Sequence, residues 1–413
     1  MPQSVQLESP REAAVIQEPL VKPEGSARVV SLDVLRGTVM ALMLNEATRL
    51  PQVAQSFPDS AAWGFIAFHT EHVPWQGCSL HDLIQPAFSF LVGAALPFSI
   101  ASRKAKGQSF GLMVAHAAWR ALLLIALGIF LRSASSQQTY FTFEDTLTQI
   151  GLGYVFLFLL GFTRVRTQVI VTLVILIVFW AAFVIYPAPG PNFDYTSVGV
   201  PQNWEHNYTG FLSHFNKNSN LSWRFDVWFL NLFPREHPFV YNEGGWSTLS
   251  FIPTLATMIL GLLTGEWLKT DKSRVDKLRG LVIGGVGLVL LGLVCQRAGI
   301  CPIVKRVWTS AYTLYSGGLV VLILAGFYAL IEWKGWKRWA FPLIVIGMNS
   351  IAIYVMSWTM ESYVRRSLEI HLGWAISRMM GPTFQPIAYG FGVMLSLWLI
   401  LLWMYRRKIF LRI

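Results

Sequence analysis

Charge is what this sequence lacks most. Of 413 residues, 13% are Asp, Glu, Lys or Arg, about half of the roughly 25% that a soluble domain carries. That scarcity excludes an ordinary water-soluble enzyme of two or three domains, because too few charged side chains exist to coat its surface. Cysteine is scarce as well. Cys78, Cys295 and Cys301 are the three in the chain, with no C-x-x-C spacing. They allow at most one Cys295–Cys301 pair, which rules out a disulfide framework and a cysteine-built metal site. Acidic residues number 22 against 33 basic ones, for a net charge of +11. The basic excess collects between apolar runs, as in the cytoplasmic loops of a membrane protein, so no nucleic-acid partner is expected. Residues 1–27 hold no apolar run and are rich in Pro, Glu, Gln and Ser. They read as a disordered cytoplasmic tail rather than a signal peptide.

What is abundant is apolar surface. Hydrophobic residues make up 54%, with 28 Phe, 17 Trp and a mean hydropathy of +0.48. A bilayer core needs about 20 apolar residues per helix. Runs of that kind occupy 31–50, 83–102, 112–131, 146–162, 168–186, 248–268, 281–296, 311–331, 341–360 and 387–405. The expected fold is therefore an all-α polytopic membrane protein, a bundle of about 10 transmembrane helices. Of the 33 Lys and Arg, 20 lie in the tail and in alternate loops, 11 in the longer opposite loops, and Arg36 and Arg120 within spans. That bias puts both termini in the cytoplasm. Residues 28–413 then form one transmembrane domain. It includes a non-cytoplasmic segment, 187–247, rich in Asn, Trp, Tyr and Pro. This segment is too short for a domain of its own and reads as a cap over the bundle, with 223–233 lying along the interface.

Ionisable groups inside a span are costly and draw attention to function. Asp33 and Arg36 share one helical face at i and i+3. Either they form an ion pair at the cytoplasmic interface, or Arg36 faces an anionic ligand entering from that side. Arg120 lies deeper, with no carboxylate at helical spacing. The densest polar segment runs from His69 to Asp82 and holds His69, Glu71, His72, His81 and Asp82. Pro74 and Gly77 turn the chain there, and Asp82 opens the next span. The spacings H-x2-H and H-x8-H, with no fourth ligand, do not suit a metal. A histidine oriented by a carboxylate, working as acid or base, fits better. Weaker signals are Glu243 and Trp246 before the sixth span, Trp308 before the eighth, and Asn349 inside the ninth. An Asn in a span also serves helix packing.

Taken in order, these pieces resemble the family of heparan-α-glucosaminide N-acetyltransferases and their bacterial relatives. The resemblance rests on Ser31-Leu-Asp33-Val-Leu-Arg36-Gly37 with Asn45 after it, and on His72, Trp75, Gly77, Asp82-Leu83, Pro86 and Gly93. It continues through Glu243-Gly244, Pro253, Gly261-x-x-x-Gly265, the Pro302–Ser310 run with Gly317-Gly318, and Gly347-Met-Asn349-Ser350. Gln76 and Gln85 depart from the family pattern, and the absence of a soluble luminal extension points to a bacterial-type member. The resemblance implies an acetyltransferase. Acetyl-CoA, the co-substrate, would enter from the cytoplasm, and its acetyl group would pass to an amino sugar on the other face, with no metal. His72 would be the essential histidine, oriented by Asp82, with Asn45 and the Trp75 indole N–H donating to the thioester oxygen. Arg36, Arg120, Asn349 and Trp308 would serve the acetyl-CoA side, and Glu71, Glu243 and Trp246 the sugar. It further implies a homodimer in a bacterial inner membrane, with the catalytic loop in the periplasm. Two rivals fit the same composition: a membrane O-acyltransferase acting on surface glycans, and a sugar or lipid-linked-sugar transporter without chemistry.

Overall fold

In a bilayer every backbone N–H and C=O must find its partner inside the chain, which leaves helices as the economical solution for apolar runs of this length. The computed structural model describes residues 29–411, and the proposed tail at 1–27 lies outside them. Among the described residues fourteen α-helices follow one another. They are α1 (Val30–Leu44), α2 (Leu50–Ala54), α3 (Ala61–Thr70), α4 (Ile84–Ala105), α5 (Phe110–Ser133), α6 (Thr146–Leu160), α7 (Val165–Ile185), α8 (Leu221–Phe229), α9 (Phe251–Lys269), α10 (Arg274–Arg297), α11 (Ser310–Tyr328), α12 (Phe341–Met348), α13 (Ser350–Thr359) and α14 (Glu361–Arg406). Among the described residues extended pairing is confined to a single bridge, Gln76 with Val304. Side-chain caps start several helices where the sequence places a short polar residue: Ser109 accepts from Leu112 N–H, Asp145 from Leu147 and Thr148, Ser273 from Asp276, and Thr309 from Tyr312.

Helices lie at all ten expected runs, but not all are simple crossings. Seven helical segments among the described residues are long and apolar enough to span a bilayer, and an eighth forms if the bent pair α12–α13 counts as one. The chain is thus an all-α integral membrane protein. Helices α1 and α6 are 15 residues each. Helix α1 reaches roughly 30 Å only by continuing through a tight turn of 3₁₀-helix at Asn45–Thr48. The run at 341–360 bends by 68° at Asn349. Residues 361–380, expected as a loop, are helical. They form the first half of α14, which breaks at Gly381 (φ 66°) just before Pro382. Gly381 takes a left-handed conformation that only glycine adopts freely, and the following prolines cannot continue the ladder.

Helices α4 and α9 form the centre, with 67% and 78% of their apolar stretches buried, against 17% for α10. They approach backbone to backbone. A Cβ at Gly93 would meet the Met258 carbonyl oxygen at 1.8 Å, and one at Gly261 would meet the Phe90 carbonyl at 1.9 Å. Only glycine permits that contact, the small-residue packing usual in membranes. The outer helices α7 and α10 turn Ile177, Ile283 and Val294 outward, as a lipid-facing layer requires. Above one end of α4 and α9 sits the segment 187–247, with α8 and three runs of 3₁₀-helix, Thr196–Val198, Gly210–Phe215 and Leu230–Leu232. Beside it lie the loops 71–80 and 298–309.

Candidate active site

The loop leading into α4 is held by its own turn and by a distant segment. Gly77 has φ 112°, a value that favours glycine. Its N–H donates to the Ile303 carbonyl at 2.9 Å beside the Gln76–Val304 bridge. The segment 302–309 is itself folded tightly. The Thr309 hydroxyl donates to the Pro302 carbonyl at 2.6 Å and accepts from Val304 N–H at 3.1 Å. Tyr312, at the start of α11, donates its hydroxyl to the Asp82 carbonyl at 2.7 Å. Residues more than 200 positions apart are thereby locked side by side.

At this junction stand His72, Asp82 and Lys305. His72 Nδ1 lies 2.8 Å from Asp82 Oδ1, and Lys305 Nζ lies 3.2 Å from the same oxygen and 3.1 Å from His72 Nδ1. Asp82 Oδ2 accepts from Val73 N–H, Ser79 N–H and the Ser79 hydroxyl at 3.2, 3.0 and 3.1 Å. An ionised carboxylate accepts only, and here five donors surround one. The shortest of these contacts fixes the imidazole: Nδ1–H donates to Asp82, which leaves Nε2 as the acceptor of a ring that lines a cavity. About a third of the His72 side chain is exposed, whereas Asp82 and Lys305 are buried. Burial pushes the His72 imidazole down to about 4; Asp82 opposes that fall and Lys305 adds to it. Burial likewise lowers the Lys305 ammonium, with Asp82 opposing. The ring is neutral at physiological pH.

The cavity measures about 450 Å³. Its lining includes His72, His81, Glu46, Trp246 and Lys305, and also Arg132, Glu144, Asp145, Trp358 and Glu361. His81 faces His72 at 4.4 Å between ring centroids, and its Nε2 lies 3.1 Å from Glu46 Oε1. Trp246 reaches in from the cap edge-on to His72, 5.5 Å away. Arg306 holds it there, stacked at 4.5 Å on its ring and donating to the Gly244 and Val73 carbonyls at 3.1 and 3.4 Å.

Of the residues singled out from sequence, the structure brings His72, Asp82 and Trp246 together and places the others elsewhere. Trp75 is fully buried and its indole N–H donates to the Phe215 carbonyl at 3.2 Å, so it cannot serve a thioester oxygen. Asn45 accepts from Thr48 within its own turn and lies outside the cavity wall. Trp308 is buried and donates to the Thr257 hydroxyl at 3.1 Å. Asn349, at the bend between α12 and α13, clamps the chain's last described turn: its amide donates to the Ile409 carbonyl and accepts from Leu411 N–H, both at 3.0 Å. Arg36 pairs with Asp33 at 3.0 Å. Arg120 donates to the Tyr154 hydroxyl at 3.0 Å and stacks on its ring. Neither arginine lines the cavity. Glu71 and Glu243 are exposed and lie off its walls. Of the carboxylates that do line it, Glu46 stands in the first apolar run and Glu144, Asp145 and Glu361 stand in expected loops, where the sequence assigns them no role. Lys305 was passed over too, its one signal being its place in the Pro302–Ser310 run.

The chain is similar to the heparan-alpha-glucosaminide N-acetyltransferase of Homo sapiens, with 22% identity over 378 residues, covering 81% of this chain and 53% of that protein. It is similar to the protein of the same name from Mus musculus, with 21% identity over 388 residues, covering 84% and 56%. The chain thus spans about half the length of the curated relatives it matches. No family model matches it.

Proposed function

We propose that this protein is a membrane-embedded acetyltransferase. It takes an acetyl group from acetyl-CoA on the cytoplasmic side and passes it to the amino group of a glucosamine-type sugar at the capped, non-cytoplasmic end. The observation that carries this reading is the His72 imidazole, its Nδ1 held 2.8 Å from Asp82 and its ring in the cavity wall. The distant similarity to membrane N-acetyltransferases supports the reaction class.

The chemistry follows from the tautomer. The acceptor amine attacks the thioester carbonyl carbon, and His72 Nε2 takes the proton the nitrogen gives up. The carbon–sulfur bond then breaks, and the same proton passes to the departing sulfur. A positioned base contributes roughly 10²–10⁴-fold. Alignment of two bound substrates contributes more, up to about 7–11 kcal/mol, and a thioester is already activated toward amines. Direct transfer is therefore favoured over an acetyl-imidazole intermediate. Glu46 and Glu361 in the wall suit an ammonium and sugar hydroxyls, and the Trp246 ring suits a sugar face. Arg36, partly exposed and far along α1 from Glu46, is the group proposed to meet the nucleotide phosphates.

The test is acetyl-CoA consumption by the purified full chain with glucosamine, against glucose as an alcohol-only control. Thiol release with glucosamine alone, lost in His72→Ala, supports the reading. Equal release with glucose favours O-acyl transfer. Sugar movement across proteoliposomes without acetyl-CoA, and no thiol release, marks a transporter and sinks the proposal.

A further inference from the structure

We propose that Lys305 is a positioning residue, a buried ammonium that neutralises Asp82 so that this carboxylate can orient the His72 ring without drawing a second proton onto it. The inference rests on the assignment of His72 as the base.

The difficulty it answers is general. A carboxylate beside an imidazole fixes the tautomer a base needs, but it also favours the imidazolium, whose Nε2 carries a proton and accepts nothing. Lys305 resolves the conflict by position. Its Nζ sits 3.2 Å from Asp82 Oδ1 and 3.1 Å from His72 Nδ1, with a side chain only 3% exposed. One carboxylate then faces one cation and one neutral ring, and protonating the ring would set two cations against a single anion. The other groups facing the ring do not replace Lys305. His81 is turned to Glu46. Arg306 is stacked on Trp246 and bound to two carbonyls. Cys78 donates its thiol to the Ser79 carbonyl and is held in its neutral form by burial. A buried lysine is a costly way to fill space, since apolar replacements of buried pairs are often neutral or stabilising. The 302–309 segment nonetheless delivers its ammonium to this oxygen through the Gln76–Val304 bridge and the Gly77–Ile303 hydrogen bond.

The experiment compares the purified full chain with Lys305→Met and Lys305→Arg. Turnover with acetyl-CoA and glucosamine is measured across pH 5 to 9. In parallel, the rate at which diethylpyrocarbonate modifies His72 is read by peptide mass spectrometry, which reports ring protonation without requiring catalysis. In the parent chain the His72 reaction should hold nearly level down to the lowest pH. In Lys305→Met both turnover and labelling should fall below about pH 7 and recover near pH 8.5. A midpoint raised to about 7 leaves roughly a tenth of the rings neutral at pH 6, a relative loss of about tenfold. Lys305→Arg should restore the parent profile. A Lys305→Met protein that loses turnover by the same factor at every pH, with His72 labelling unchanged, would make the lysine merely structural and overturn the proposal. If Lys305→Met does not fold, Lys305→Gln, which keeps a polar tip and removes the charge, carries the same test, and a parent His72 labelling midpoint near the ordinary 6.5 overturns the proposal. Full turnover in His72→Ala together with shifted labelling in Lys305→Met would sink the transfer assignment and leave Lys305 in control of the ring.

Discussion

Replacing Asp82 by Asn tests the site most directly, because it keeps the shape and removes one acceptor. The carboxylate has His72 and Lys305 on Oδ1, and Val73 and Ser79 on Oδ2. An amide has one oxygen to offer. If that oxygen stays with Val73 and Ser79, the NH₂ faces His72 Nδ1 and Lys305. The ring then accepts at Nδ1 and carries its proton on Nε2, where the base must be empty. Turnover should fall by roughly 10²–10⁴, the contribution of a positioned base. If the amide is reversed, its hydrogens meet the N–H groups of Val73 and Ser79, at about 1–3 kcal/mol for each donor left unpaired. In both orientations Lys305 stays buried without an anion, which costs roughly 3–5 kcal/mol. That is a large part of the roughly 5–15 kcal/mol that holds a typical domain, so stability and turnover must be measured separately. Thermal unfolding in detergent reads the first, and thiol release per folded molecule reads the second. The double variant Asp82→Asn/Lys305→Met separates them further. Removing both charges should recover most of the thermal midpoint, because no unpaired ion remains, while turnover stays low. The reasoning fails if Asp82→Asn is folded and turns over at the parent rate, or if the double variant regains activity along with stability.

Three further outcomes follow. His72→Ala should abolish transfer with little change in thermal midpoint, since about a third of the side chain is exposed, and brief incubation of the parent with labelled acetyl-CoA alone should leave no stable label on His72. Asp226, buried within the cap at 2% exposure, is pushed by burial from 3.8 to about 7. Folding therefore holds a proton that the unfolded chain releases above 3.8, and stability falls as pH rises from about 4 through 7, on the order of 4 kcal/mol in all. Asp226→Asn keeps the acceptor that Thr248 N–H uses at 2.9 Å and should raise the midpoint at pH 8 but hardly at pH 4. Gly93→Ala places a Cβ 1.8 Å from a backbone oxygen of α9. It should prevent recovery of folded protein, whereas Gly64→Ala, with open space around it, should be recovered at parent level.

The parts readable in the sequence were those that depend on local pattern. Apolar runs near 20 residues announce helices because lipid leaves the backbone no other partner. What hydropathy does not report is helix in a stretch rich in charge. Residues 361–380 carry Arg365, Arg366, Glu369 and His371 and read as a loop. The chain is nevertheless helical there, with Arg365 buried and donating to the Ala47 carbonyl. The same limit governed the site. His72 and Asp82 lie ten positions apart across a turn marked by Pro74 and Gly77, so their meeting could be read. Trp75, Trp308 and Asn349 sit in the same set of motifs, but a polar tip that serves another part of the chain looks no different in sequence from one that serves a substrate. Lys305 failed for the opposite reason. A lysine between two apolar runs counts as a loop charge, and the positive-inside tally treats it as solvated. Its burial is decided by a bridge to residues more than 220 positions earlier, and a buried cation is recognised only through the anion beside it. Sequence reasoning could find the histidine and the carboxylate beside it. The third charge, which lets the two coexist without a proton between them and the substrate, appears only when the distant loop is folded against them.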